Sequence, residues 1–493
     1  MSTEIEITEL AAESGARFGT SGVRGPVAAL TDRVCYAYVL AFLQHLQQAR
    51  QLPPGGRVAV AGDLRPSTDR ILHATMRAIS DRGYEPTHCG KIPSPALALY
   101  GIQEQIPTVM VTGSHIPADR NGIKFTLPAG EILKEDERSI VSQRVSLPSD
   151  FDEVGALVSA ASGPSTPEIS TAAERYIRRY TDAFRPDLLS GRRLGVYEHS
   201  AVGRDLLSDL FTGLGAEVVR LGRSDTFVPV DTEAIRPEDV ALAAQWAEEQ
   251  RLDAIVSTDG DSDRPLVSDE RGRWLRGDVA GILCARFLRA NVVVTPVSCN
   301  TAVERCGWFS EVRRTRIGSP FVIAEMQAAA SEGARPVVGY EANGGFLTAT
   351  DIELGGGTLA ALPTRDPVIV LLSILAQATE QRCTVSELWA DLPARHTASD
   401  RLQDFPTDRS QSKLAELARA THRRLEEELG GILGTVSETN SVDGLRITFD
   451  SGEILHLRAS GNAPELRCYA EADSEARARE ITALALEQMQ RWR

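Results

Sequence analysis

Short apolar runs alternate with longer amphipathic stretches along most of this chain. Residues 57–61 read as a strand and 67–81 as a helix. Strand, helix and strand follow at 194–197, 201–214 and 217–221, then a helix at 237–250 and a strand at 254–257. The rhythm returns with helix 281–290, strand 292–296, helix 321–331 and strand 336–340. Helix-strand alternation of this kind predicts mixed or parallel α/β layers.

Two polar stretches, 159–167 and 398–412, read as linkers. After the second the pattern changes: a charged helix at 414–429, strands at 445–449, 454–457 and 466–472 with a turn at Asp450-Ser451-Gly452, and an amphipathic helix at 474–491. That is a smaller α+β module. The expected class is α/β, with three similar mixed α/β domains at 1–160, 168–276 and 277–397 and a smaller C-terminal α+β domain at 413–493. The three α/β units share a rhythm but no convincing sequence repeat.

The chain has 493 residues and a net charge of −15, with no long basic block. This argues against nucleic acid or an acidic membrane as partner, and means that an anionic ligand must be drawn by local cations. Seven cysteines (35, 89, 284, 299, 306, 383, 468) are scattered without Cys-x-x-Cys, as expected for reduced thiols. Residues 1–16 are acidic and lack the apolar core of a signal peptide. The longest apolar stretch, 368–378, contains Ser373 and Gln377 and is too short to span a bilayer. A cytoplasmic location is expected.

Chemistry concentrates at loops. Thr112-Gly113-Ser114-His115-Ile116-Pro117 follows the apolar run Val109-Met110-Val111, which places a hydroxyl at the carboxyl edge of a sheet, where open α/β sheets bind ligands. A lone serine there more often caps a turn, and Gly-x-Ser-x-Gly is absent. Lys124, in Asn121-Gly122-Ile123-Lys124-Phe125, falls near the same edge. Asp259-Gly260-Asp261-Ser262-Asp263-Arg264 follows another apolar run, and three alternating carboxylates suit a hard cation. An EF-hand fits poorly: Arg264 occupies the position that needs glycine, Pro265 follows, and Leu266 and Val267 read as a strand instead of an exiting helix. A magnesium site with an open coordination position remains, against a metal-free acidic turn. Phe18-Gly19-Thr20-Ser21-Gly22-Val23-Arg24-Gly25 lets backbone N–H groups approach an anion. Glu341-Ala342-Asn343-Gly344-Gly345 offers a carboxylate and an amide to sugar hydroxyls. Arg458, Ser460, Asn462 and Arg467, in one C-terminal loop, form a plausible monoester clamp.

These motifs, in this order and over essentially the whole chain, resemble the α-D-phosphohexomutase family. The resemblance implies four domains around a central cleft, each giving one loop. It implies interconversion of hexose 6-phosphate and hexose 1-phosphate, with mannose the favoured sugar, through a phosphoserine at Ser114 and a bisphosphorylated hexose that is also the activator. Ser114, Asp259, Asp261 and Asp263 would hold Mg²⁺. Arg24 and Arg264 would steady the phosphate, and His115 and Lys124 would be candidates for acid/base work. Glu341 and Asn343 would hold the sugar, and Arg458, Ser460, Asn462 and Arg467 its non-reacting phosphate. Hexose phosphates are the expected partners, with no nucleic acid or membrane, for a monomer or homodimer. One departure stands out: bacterial phosphomannomutase/phosphoglucomutase enzymes carry Glu-x-Ser-Gly-His in the sugar loop, and this chain has no histidine there. Phosphoglucomutase and phosphoglucosamine mutase are the nearest alternatives. A haloacid-dehalogenase-type phosphatase with an aspartyl nucleophile, or a silent sugar-phosphate binding protein, leaves more of these motifs unexplained.

Overall fold

The computed structural model describes residues 3–19, 22–158, 166–431, 433–460 and 464–493; Thr20, Ser21, Asn462 and most of the expected 159–167 linker lie outside them. Three sheets repeat one strand order. In the first, Glu85–Lys91, Arg57–Gly62 and Thr108–Val111 run parallel and Arg120–Leu127 closes antiparallel. In the second the same places are taken by Glu217–Leu221, Arg193–Tyr197, Ala254–Thr258 and Pro265–Val267. In the third they are taken by Glu311–Thr315, Val292–Pro296, Val337–Tyr340 and Phe346–Thr348. Gly22–Pro26 and Arg17–Phe18 extend the first sheet beyond its antiparallel strand.

Ala254–Thr258 and Val292–Pro296 are buried at every position, as central strands covered on both faces must be. The apolar stretch 368–378 forms the middle of helix Pro367–Gln381, whose first residue needs no N–H partner. It packs on helix Gly277–Phe287. Burying Val368, Leu371, Leu372 and Leu375 contributes roughly 1.5–3 kcal/mol each. Among the described residues, no helix is long and apolar enough to cross a membrane.

The C-terminal unit is a five-stranded antiparallel sheet in the order His396–Leu402, Leu466–Ala472, Ile454–Ala459, Leu445–Phe449, Val436–Asn440. Here two sequence expectations fail. The stretch 398–412 is not a linker: it holds most of the edge strand His396–Leu402 and the start of helix Thr407–Ala418, so this sheet begins ahead of residue 413. Along that strand only Leu402 is buried, which hides it from apolar periodicity. The helix expected at 414–429 is two, because Thr421 caps a new start, its hydroxyl accepting from the Arg424 N–H at 3.3 Å.

One apolar cluster runs from the first sheet (Ala59, Met110) through the second (Val196, Val256) into the third (Val293, Val338). The C-terminal unit has its own cluster around Phe405, Ile447, Leu457 and Ile481. Polar contacts tie it to the rest. Arg395 donates to Glu471 and Asp473, at 2.6 Å each, and to the Gly452 carbonyl at 2.7 Å. The Ile317 N–H donates to Asp443 at 2.9 Å.

Candidate active site

Three of the loops singled out from sequence occupy one topological place. Residues 112–119, 259–264 and 341–345 each join the last parallel strand of their sheet to its antiparallel neighbour. Ser114 lies in the first. Its backbone has φ 56°, a left-handed conformation uncommon outside glycine. Its N–H donates to Thr112 Oγ1 at 2.7 Å. A residue not singled out from sequence, Arg65, fixes the loop. It is fully buried, and its guanidinium donates to the carbonyls of Ser114 (2.8 Å), Ile116 (2.5 Å), Pro117 (2.6 Å) and Arg120 (3.0 Å). Asp63 supplies its countercharge at 3.2 Å, and Phe227 of the second unit lies under its face at 4.0 Å.

The Ser114 hydroxyl donates to Asp259 Oδ2 at 2.8 Å. Asp259, Asp261 and Asp263 are buried, with one ligand oxygen from each lying within 4.8 Å of the others. Lys124 Nζ donates to Asp261 (2.5 Å) and Asp263 (2.7 Å), and the Ser94 hydroxyl to Asp261 at 2.6 Å. The second oxygens of Asp261 and Asp263 are buried without a hydrogen-bond donor. Arg264 Nε lies 3.6 Å from that Asp263 oxygen, whereas among the described residues the Asp261 oxygen meets no cation; a buried carboxylate oxygen left so is costly, so this set fits a hard metal ion. Burial, then the charges of Asp261 and Asp263, pushes the Asp259 carboxyl well above its usual range. Burial acts the same way on Asp263, but Lys124, Arg365 and Arg264 outweigh it and hold that carboxyl low.

His115 Nδ1 lies 3.3 Å from Ser114 Oγ and accepts from Arg264 at 2.7 Å. A guanidinium can only donate, so Nδ1 carries no proton. Burial, with Arg264 second, holds His115 well below its ordinary value and neutral. Burial acts to lower the Lys124 pKa, but Asp261 and Asp263 prevail and keep it charged. Arg24, on strand Gly22–Pro26, is lowered to about 10 by burial and then by Arg264.

In the sugar loop, Glu341 Oε2 accepts from Arg365 Nε at 2.7 Å, and Arg365 also reaches within 3.6 Å of Asp263. In the C-terminal sheet Arg458 lies opposite Arg467, and Arg467 opposite Arg401. Like charges in cross-strand register repel. They persist with Glu465 near Arg401 (3.4 Å) and Arg467 (3.3 Å), and with Asp443 accepting from Arg458 Nε at 3.0 Å through both oxygens. Three guanidiniums side by side are chemically suited to an anion. Ser460 is buried, its N–H donating to the Glu465 carbonyl at 2.9 Å.

A cavity of about 560 Å³ joins these loops. Of the residues expected from sequence it brings together Arg24, His115, Arg264, Glu341, Asn343, Arg458 and Arg467. Ser114, Lys124 and the three aspartates stand behind the wall formed by His115 and Arg264. Asn462 lies outside the described residues. The sequence reading missed Asp231, Glu233, Arg365, Arg401 and Tyr469, all in the lining.

Four family models match the chain: phosphoglucomutase/phosphomannomutase alpha/beta/alpha domain I at residues 15–147, domain II at 174–272, domain III at 276–396 and the C-terminal domain at 406–488. A phosphomannomutase of Salmonella muenchen is 45% identical over 465 residues, 94% of this chain and 93% of that protein. A phosphomannomutase of Sinorhizobium fredii is 43% identical over 474 residues, 96% of this chain and 98% of that protein. The crystal structure of a phosphoglucomutase/phosphomannomutase family protein from Burkholderia thailandensis shares the fold, with a TM-score of 0.74 at 19% identity, over 99% of this chain and 98% of that one.

Proposed function

The chain belongs to the phosphoglucomutase/phosphomannomutase family and is a phosphosugar mutase, and from that premise we propose that it interconverts mannose 6-phosphate and mannose 1-phosphate through a phosphoserine at Ser114. The observation that carries this reading is the Ser114 hydroxyl, 2.8 Å from a buried three-carboxylate cluster and directly behind His115 and Arg264 in the wall of a cavity that Arg401, Arg458 and Arg467 also line.

Asp259, Asp261 and Asp263 would hold Mg²⁺, with Ser114 Oγ at the edge of the site. When bound, the ion supplies positive charge against the phosphoryl oxygens and the carboxylates. Arg24 and Arg264, at the cavity wall in front of Ser114, neutralise the phosphoserine from the substrate side. The C-terminal guanidiniums hold the substrate's other phosphate and set its free hydroxyl against Ser114. In the first step the bond from phosphorus to Ser114 Oγ breaks and one to the sugar hydroxyl forms. The hydroxyl proton would pass to His115, in the cavity wall, with Lys124 behind it as the second candidate. The bisphosphorylated hexose then reverses end for end, and its other phosphate returns to Ser114 Oγ. Positioning and charge neutralisation account for most of such catalysis.

A phosphatase with an aspartyl nucleophile fits less well. Asp259 accepts from Ser114 through one oxygen and from the N–H groups of Asp263 and Arg264 through the other, and Asp261 Oδ2 is taken by Lys124 and Ser94.

Phosphorus NMR of the protein with mannose 1-phosphate, glucose 1-phosphate and glucosamine 1-phosphate tests the reading, with peptide mapping of bound phosphate. Mannose 6-phosphate should appear fastest, and phosphate should map to Ser114. Ser114→Ala should lose turnover by at least about a thousandfold while staying folded, because it deletes the nucleophile. Phosphate found stably on an aspartate instead would refute it.

A further inference from the structure

A mutase must tell one hydroxyl pattern from another, and the loop assigned to that task from sequence is largely engaged with its own neighbours. Glu341 gives one oxygen to Arg365, and Asn343 gives its side-chain oxygen to the Gly345 N–H at 2.9 Å. A segment of the second unit, residues 231–233, reaches the same cavity. Thr232 is buried, and its hydroxyl donates to the Asn343 carbonyl at 2.6 Å, which pins this segment to the sugar loop. Its two neighbours, Asp231 and Glu233, line the cavity. Among the described residues the Glu233 carboxylate has no hydrogen bond or ion pair, and Asp231 has only a local one, from the Glu233 N–H at 3.0 Å.

Their placement along the cavity matters. The charge of Asp231 acts on His115 and that of Glu233 on Tyr469, while Asp231, Arg276, Arg264 and Glu341 act on Glu233. A carboxylate seated on a phosphate site would repel the ligand. Set against the sugar ring instead, its oxygens accept from the ring hydroxyls.

Resting on the mutase reading, we propose that Asp231 and Glu233 are specificity-determining residues that recognise the ring hydroxyls of the hexose phosphate. They supply from the second unit the hydrogen bonding for which the sugar loop of this chain has no histidine. Because the substrate turns end for end, acceptors spread along the cavity serve both orientations. A site built to pair hydroxyls penalises a sugar that leaves its acceptors unpaired.

The test measures kcat/KM for mannose 1-phosphate and glucose 1-phosphate with the parent protein, Asp231→Asn and Glu233→Gln, alongside phosphate content at Ser114. Both variants keep their shape and should fold and carry phosphate as the parent does. The mannose-to-glucose ratio of kcat/KM should change by about fivefold or more in at least one variant, as expected for losing a hydroxyl-pairing acceptor. A smaller change in both overturns the assignment. A parent protein that converts no hexose phosphate overturns the mutase reading, and this inference with it. The two failures are therefore read from different proteins.

Discussion

At the scale of single residues, the backbone of Ser114 is held where only glycine is comfortable, at a cost of about 1–3 kcal/mol. Arg65 holds it there through four carbonyls. Removing that guanidinium leaves Asp63 buried without its countercharge, so Arg65→Ala should lower the unfolding free energy by about 3–5 kcal/mol. Urea denaturation measures this, and a loss under about 1 kcal/mol would show that the loop is held otherwise. Ser114, the aspartates and the paired C-terminal arginines were legible in the sequence because each motif ends a strand and concentrates one chemistry. Arg65, Arg365, Arg401 and Asp443 were not. Each is a single charge in an ordinary polar stretch, and its meaning comes from a partner far along the chain: Ser114 lies 49 residues beyond Arg65.

At the scale of elements, the alternation of strands and helices was legible, but the repetition of one four-strand order was not. Topology repeats where side chains do not, because a buried strand needs only apolar, β-branched residues of the right length. The edge strand His396–Leu402 escaped for the opposite reason, since one buried residue in seven gives no period to read. It carries Arg401 into register with Arg467 and Arg458. The hairpin turn before Leu445–Phe449 sets the last of these arginines. Asp443 accepts there from Arg458 and from the Ile317 N–H of the third unit, so it fixes the guanidinium and the inter-unit contact together. Hydrogen bonds between charged groups contribute about 1.5–3 kcal/mol. Asp443→Asn should accordingly raise KM for hexose phosphates about tenfold or more and leave kcat within about threefold. Steady-state kinetics decides, and an unchanged KM would mean that Arg458 is oriented by something else.

At the scale of the whole molecule, charge is divided by distance. The net charge of −15 repels a phosphate from afar, while Arg24, Arg264, Arg365, Arg401, Arg458 and Arg467 draw it in at the cavity. Burial also leaves a pH-sensitive group in the C-terminal unit. His456 donates from Nε2 to the Asp443 carbonyl at 2.6 Å, and burial lowers its pKa from the ordinary 6.5 to about 4. Between those values the unfolded chain takes up a proton that the folded protein refuses. Stability from this site is therefore intact above pH 6.5 and is lost progressively as pH falls toward 4. The difference in unfolding free energy between the parent and His456→Gln should shrink across that window by on the order of 3 kcal/mol. A constant difference in urea denaturation at pH 7 and pH 5 would contradict the buried neutral imidazole.

The division of apolar cores bears on how the cavity admits its ligand. The first three units share one cluster, the fourth has its own, and the ties described between them are the polar contacts of Arg395 and Asp443. Swinging the fourth unit away would exchange these hydrogen bonds for water and uncover little of either cluster beyond Cys299, Ala342 and Ala470, which line a pocket at the seam. The heat capacity of a protein rises chiefly when apolar surface meets water. Opening would therefore carry little heat-capacity change, so its enthalpy stays nearly constant with temperature and the logarithm of the open-to-closed ratio runs close to straight against inverse temperature, even where global stability is steeply curved.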